Sequence, residues 1–224
     1  MLLLLTASAP AAEFPKEEVL HYNVNWPSGL SLGEGRMSAK RVSGSDNNGD
    51  AWGFEFRLEA AIPGFAVLDR FESLATDNYC SISLTKDSTH GKRRAEEKTV
   101  FDPQAGVAVR TTVNGGKSEI PISSCGRDAL TYLYYVRSEL INGRIPPAQA
   151  IQFGASYQIR MEHGGTRKLQ IAGEAVEADR MLTSVKGPAS QVSFEIFFAR
   201  DAVRTPVLVK VPLPLGSFSM ELAP

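Results

Sequence analysis

The sequence predicts a mainly β protein: a large curved antiparallel sheet or open barrel of roughly ten to twelve strands with one amphipathic helix packed on it. Three observations predict this. Apolar and polar residues alternate with a period of two in several segments, clusters of turn-forming residues separate those segments, and one stretch near the middle changes to a three-and-four spacing. Short connections imply antiparallel pairing, because parallel neighbours need a long crossover.

The first clear strand has Leu20, Tyr22, Val24 and Trp26 alternating with His21, Asn23 and Asn25, the pattern of a strand with one wet face. Trp52, Phe54, Phe56, Leu58, Ala60 and Ile62 repeat it and again put aromatic rings on the buried side. Between them, residues 43–50 are turn formers without an apolar side chain and read as an exposed hairpin loop. Asn114-Gly115-Gly116 marks a tight turn between strands at Val107–Val113 and Lys117–Ile122.

From Asp128 to Leu140 the apolar spacing becomes helical, with Ala129, Leu130, Leu133, Val136, Arg137 and Leu140 recurring. Ser124 caps the start, or Asp128 sits in the first turn at the positive end of the helix dipole. Asn142-Gly143 ends the helix and Pro146-Pro147 prevents its continuation. The strip of Leu130, Leu133, Val136 and Leu140 should face the sheet, with Leu133 almost fully buried and Arg127, Ser138 and Glu139 off the strip. Strands then return at Tyr157–Glu162, Lys168–Ile171, Asp179–Val185, Val192–Ala199, Val207–Pro212 and Ser217–Leu222.

Lys and Arg total 24 against 25 Asp and Glu, so no global field draws in nucleic acid or an anionic membrane surface. Residues 1–11 read as a signal peptide, an apolar run followed by Ala9 and Ala11 in an Ala-x-Ala spacing, and residues 12–224 as a single β-rich domain. The basic stretch that should precede the run is missing, which points to a start upstream of Met1, and a buried N-terminal strand is the other reading. No Cys follows the small residues, so a lipid anchor is not expected. No later stretch reaches the ~18 apolar residues of a transmembrane segment. The expected location is periplasmic or otherwise extracytoplasmic, and soluble. Cys80 and Cys125 are the two cysteines, and an oxidising compartment would pair them in a disulfide; two unrelated buried thiols are the alternative.

No catalytic, cofactor-binding or metal-binding residues are assigned. His21, His90 and His163 have none of the spacings of metal-ligand sets and read as solvated or capping side chains. Arg70 and Glu72 share a strand face, where a cross-strand ion pair competes with a clamp for a polar head group. His90-Gly91-Lys92-Arg93-Arg94 is followed at once by Glu96 and Glu97 and reads as a mixed-charge strand or turn. Tyr132 and Tyr134, with apolar bodies and polar tips, suit either the boundary of a cavity or packing of the helix on the sheet. With Leu133, Trp26, Phe54 and Phe56 they are the candidate cavity or helix-plug residues.

The chain also resembles the bacterial domain of unknown function family 3108. The resemblance rests on Leu20-His21-Tyr22-Asn23-Val24-Asn25-Trp26, Gly33-Glu34-Gly35, Asp69-Arg70-Phe71-Glu72-Ser73, Thr99-Val100-Phe101-Asp102, the helix from Asp128 to Arg137, and Thr205-Pro206-Val207-Leu208-Val209. It implies an exported β-rich protein with no established activity and no catalytic residues to carry over.

These features together favour a non-catalytic periplasmic or envelope binding protein, without cofactor, that holds a lipid or other amphipathic ligand. A curved sheet with aromatic residues inside needs a plug, and one helix is a small plug for so many strands. The alternatives are a structural or assembly factor whose partner is another envelope protein, bound at a strand edge, and an enzyme of unknown type.

Overall fold

The structure, a computed structural model, describes residues 14–43, 50–62, 64–213 and 216–224. The segment read as a signal peptide and most of the loop at 43–50 lie outside the described residues. Eight strands precede the helix in antiparallel hairpins: β1 (Glu17–Asn25), β2 (Ser31–Val42), β3 (Ala51–Ile62), β4 (Phe65–Thr76), β5 (Ser81–His90), β6 (Arg93–Asp102), β7 (Val107–Thr112) and β8 (Lys117–Pro121). The short β9 (Arg127–Asp128) leads directly into α1 (Ala129–Ile141). After the helix come β10 (Gln149–Gln152), β11 (Ser156–Ile171), β12 (Glu174–Lys186), β13 (Gln191–Ala199), β14 (Pro206–Leu213) and β15 (Gly216–Leu222).

All fifteen strands join one sheet in the order β8-β7-β6-β5-β4-β3-β2-β1-β15-β14-β13-β12-β11-β10-β9. The first and last strands therefore pair at its middle, Tyr22 opposite Leu222, and both edges come from adjacent parts of the chain just before the helix. Every pairing is antiparallel except β9 with β10. The sheet curls until β9 reaches β5, where the Ser81 N–H donates to the Gly126 carbonyl at 2.9 Å. The barrel is thus closed at one point rather than by a ladder, and β6 to β8 continue past the seam.

The alternation in β1 and β3 is realised: Tyr22, Val24, Trp52 and Phe54 are buried while His21 and Asn23 are exposed. Fifteen strands exceed the expected ten to twelve, for local reasons. β9 and β10 are too short to show a period, and the Ser-, Thr- and charge-rich β5 shows no clean apolar alternation. The segments expected as separate strands at Tyr157–Glu162 and Lys168–Ile171 are one strand, β11, whose register shifts between His163 and Thr166. Gly164-Gly165 lies at that shift with Gly165 at φ 87°, so the glycine pair makes a bulge rather than a turn.

The helix begins one residue after Asp128, which is its N-cap at φ −80°, ψ 171°. Ser124, the expected cap, lies in the preceding turn, and Asp128, expected inside the first turn, takes the role because its carboxylate reaches the N–H groups of Leu130 (2.8 Å) and Thr131 (2.9 Å). Asn142 caps the C-terminus, and Gly143 follows at φ 69°. The helix lies inside the curl and is buried on most of its circumference, not along one strip. Tyr132, Val136 and Leu140 pack with Ile151, Ile159, Met161, Met181 and Phe198 on one side. Leu130 and Tyr134 pack with Tyr22, Met37, Trp52 and Phe54 on the other. Arg137, 0% exposed, donates to both carboxylate oxygens of Glu18 (2.6 and 2.7 Å) and to the carbonyls of Val203 and Arg204. Leu133 departs from expectation: it is half-buried and packs against both clusters. Its exposed part meets open space between the helix and the strands that follow it.

Cys80 and Cys125 form a disulfide with Cα atoms 4.8 Å apart, joining the start of β5 to the segment that enters the helix.

Candidate functional site

The open space beneath Leu133 is a cavity of about 420 Å³ between the helix and strands β10 to β14. The helix contributes Ala129, Tyr132 and Leu133, and β10 and β11 with their turn contribute Ile151, Phe153, Tyr157, Ile159 and Met161. Val185, Val192, Phe194, Ile196 and Val209 complete the wall. The wall residues of β11 and β13, at 157, 159, 161 and 192, 194, 196, recur with the strand period of two, so the pattern that builds one face of the sheet also builds much of the cavity wall. The phenols of Tyr132 and Tyr157 are the only polar side-chain groups in this lining. Another depression, of about 510 Å³ over β11 to β15, differs in carrying charged side chains, Glu162, Glu195 and Lys210.

At one edge Phe153 packs edge-on against Phe71 with ring centres 5.0 Å apart, and the Lys86 ammonium lies 3.9 Å from the Phe153 ring centre. Lys86 is also held by Glu97 (2.8 Å), which pairs with Arg110 as well. Burial raises the Glu97 carboxyl, but hydrogen bonds from Lys86 and Arg110 and their charges outweigh it and hold it below the ordinary glutamate value. At the other edge Tyr132 is 2% exposed, and its hydroxyl has no hydrogen-bond partner among the described residues. Burial pushes its phenol up, so it stays protonated and available as a donor.

Of the residues singled out from sequence, Tyr132 and Leu133 line the cavity. Tyr134 does not: it lies on the opposite flank of the helix, stacked on Phe54 with ring centres 4.1 Å apart. Phe54 is core, Phe56 stacks on Phe71 at 5.7 Å, and Trp26 meets Phe218 edge-on at 4.6 Å; none of the three is a wall residue. Arg70 pairs with Glu55 on the neighbouring strand (3.2 Å) and with Glu72, and Glu55 also receives Arg36 and Arg57. This is a cross-strand charge ladder, not a free clamp. His90 contacts Asp69 at 2.9 Å and His163 contacts Asp179 at 3.4 Å. Among the described residues no group of three or more His, Cys, Asp or Glu side chains is placed to hold a metal ion.

A family model described as "Protein of unknown function (DUF3108)" matches residues 21–223. The chain belongs to the DUF3108 family. This DUF3108 chain is also similar in fold to a crystal structure of a beta-barrel-like protein of domain of unknown function DUF1849 from Brucella abortus, with a TM-score of 0.59. The two are 9% identical, and the match covers 92% of this chain and 94% of the other. No curated protein matches the chain. Among the described residues no helix is long and apolar enough to cross a membrane.

Proposed function

We propose that this DUF3108 protein is a non-catalytic binding protein of an extracytoplasmic compartment, and that it holds a lipid or similar amphipathic molecule beneath its helix. One observation carries the reading: an apolar pocket of about 420 Å³ that opens to solvent between the helix and strands β10 to β14. Apolar walls left facing water forgo the burial and dispersion contacts that a bound apolar group would restore. A space of this size and lining suits a small hydrophobic ligand. The disulfide and the Ala-x-Ala segment at the start of the chain support an oxidising compartment. The non-catalytic part rests on the buried acids, which are committed to structure: Asp128 to the helix cap, Glu18 to Arg137, Glu97 to Lys86 and Arg110. Strand addition at the β8 edge is disfavoured by Lys117, Glu119 and Pro121, residues that block edge pairing.

Native mass spectrometry of the protein purified from its own envelope tests the reading. A bound mass in the lipid range is expected, and its release should leave a protein that takes up a fluorescent fatty acid. A protein that carries no such mass and takes up no probe would overturn it.

A further inference from the structure

Behind the apolar wall of the cavity, at the Tyr132 end, lie buried polar groups without partners. Tyr132 belongs to the wall, and its buried hydroxyl lacks a partner among the described residues. Arg127 on β9 lies in register with Ile151 on β10, another wall residue. Partners on parallel strands project to the same face, so Arg127 lies on the side of the sheet that holds the helix and the cavity. Arg127 is not itself a wall residue: its guanidinium lies over the Tyr135 ring, whose centre is 6.1 Å from that of Tyr132.

What distinguishes Arg127 from the other interior cations is its counterion. Arg137 has the full bidentate partnership of Glu18, and Lys86 shares Glu97 with Arg110. Arg127 has only neutral contacts among the described residues: it donates to the Gln149 side-chain oxygen (2.8 Å) and lies 3.8 Å over the Tyr135 ring. Its Nε–H is buried without an acceptor. Glu139, the acid whose charge reaches it, is held at 2.7 and 2.9 Å by Arg144. A half-buried guanidinium without an anion is costly, and planar carboxylates are the groups its fork fits best.

We infer that the cavity ligand is an anionic amphiphile with one hydrocarbon chain, whose carboxylate is bound by Arg127 and Tyr132 while the chain fills the apolar space. This rests on the reading of the cavity as a ligand site and names the class of ligand. Tyr132, kept neutral, supplies an O–H donor, and Arg127 supplies the charge and the unused Nε–H.

Calorimetric titration of the delipidated full chain with dodecanoate and with its methyl ester tests it. The acid should bind about tenfold or more tighter than the ester, the usual worth of a charge-assisted hydrogen bond. Arg127→Gln should bring the acid to the level of the ester and leave the ester unchanged. Tyr132→Phe should weaken the acid alone, and it serves as the deciding variant if Arg127→Gln does not fold. Equal binding of acid and ester, or loss of the preference in Lys86→Gln instead of the Arg127 and Tyr132 variants, would overturn the inference while leaving the cavity reading intact. Binding of neither compound, with no competition for a fluorescent fatty acid, would overturn both.

Discussion

Asp128 and Ser81 exchange hydrogen bonds across the seam of the barrel: the Ser81 hydroxyl donates to the Asp128 carboxylate at 2.6 Å, and the Asp128 N–H donates to the Ser81 oxygen at 2.8 Å. The same carboxylate accepts from Ser73 (2.6 Å), from the Thr131 hydroxyl (2.8 Å), and from the first turn of the helix. One buried side chain therefore caps the helix and ties it to β4 and β5. Replacing it with alanine removes the cap and strands several buried donors. Asp128→Ala should cost about 3 kcal/mol or more. Asp102→Ala, at an exposed turn where the carboxylate also accepts two backbone N–H groups, should cost about 1 kcal/mol or less. Urea denaturation of the two variants checks the contrast, and equal losses would mean that burial of the network adds nothing.

The disulfide reinforces the same junction, since Cys80 precedes Ser81 and Cys125 precedes Gly126, whose carbonyl accepts the Ser81 N–H. With the cysteines 45 positions apart in sequence, the chain-entropy account assigns the crosslink about 4 kcal/mol. The double variant Cys80→Ser, Cys125→Ser should lose about that much. A reductant should lower the denaturation midpoint of the wild-type protein to that of the variant and leave the variant unmoved.

Glu97 gives the fold a defined acid sensitivity. Its carboxyl titrates below the ordinary value of 4.5 in the folded state, so its contribution is fully present above that value and is lost as pH falls through the depressed folded value. Glu97→Gln should cost about 1–3 kcal/mol at pH 7, because Lys86 and Arg110 lose their shared counterion. The gap between wild type and variant should close as the pH drops well below 4.5. Denaturation curves at neutral and acid pH measure it, and a gap independent of pH would assign the loss to packing instead.

The fold was legible where a strand has one wet face. Tyr22 and Val24 against His21 and Asn23 report burial through alternation alone, and Asn142-Gly143 marks the helix end by its own chemistry. What was illegible depends on partners far away in the chain. Asp128 meets Ser81 and Ser73 at separations of 47 and 55 residues, and Arg137 meets Glu18 at 119. No local period encodes such contacts. The site was only half legible for a related reason. Tyr132 stood out as an amphipathic side chain on a helix, but Phe153, Ile159 and Phe194 read like any inward core residues. Whether inward residues enclose a void depends on the width of the curl relative to one helix, a property of the whole sheet. Arg127 was placed off the helix strip and gave no signal, because its lack of an acid partner becomes visible only once the chain is folded.

Leu133 separates the energetics of the plug from those of the cavity. Val136 is 0% exposed and Leu140 is 7% exposed, both against close neighbours, whereas Leu133 is half-buried and lines the cavity. Leu140→Ala should cost about 2–5 kcal/mol, as for an ordinary core leucine. Leu133→Ala should cost about 1–2 kcal/mol, because part of the side chain already lacks packing partners and the space left behind joins an existing void. Leu133→Phe adds volume where room exists, so its stability should stay within about 1.5 kcal/mol of wild type, unlike overpacking at a filled site. The two Leu133 variants should then diverge in binding: the alanine should admit bulkier hydrocarbon probes, and the phenylalanine should exclude probes that the wild type accepts. Titration of a chain-length series against both variants, alongside their denaturation curves, measures this. A Leu133→Ala loss equal to that of Leu140→Ala, with an unchanged probe profile, would mean that Leu133 is packed core and that the space beside it is filled in solution.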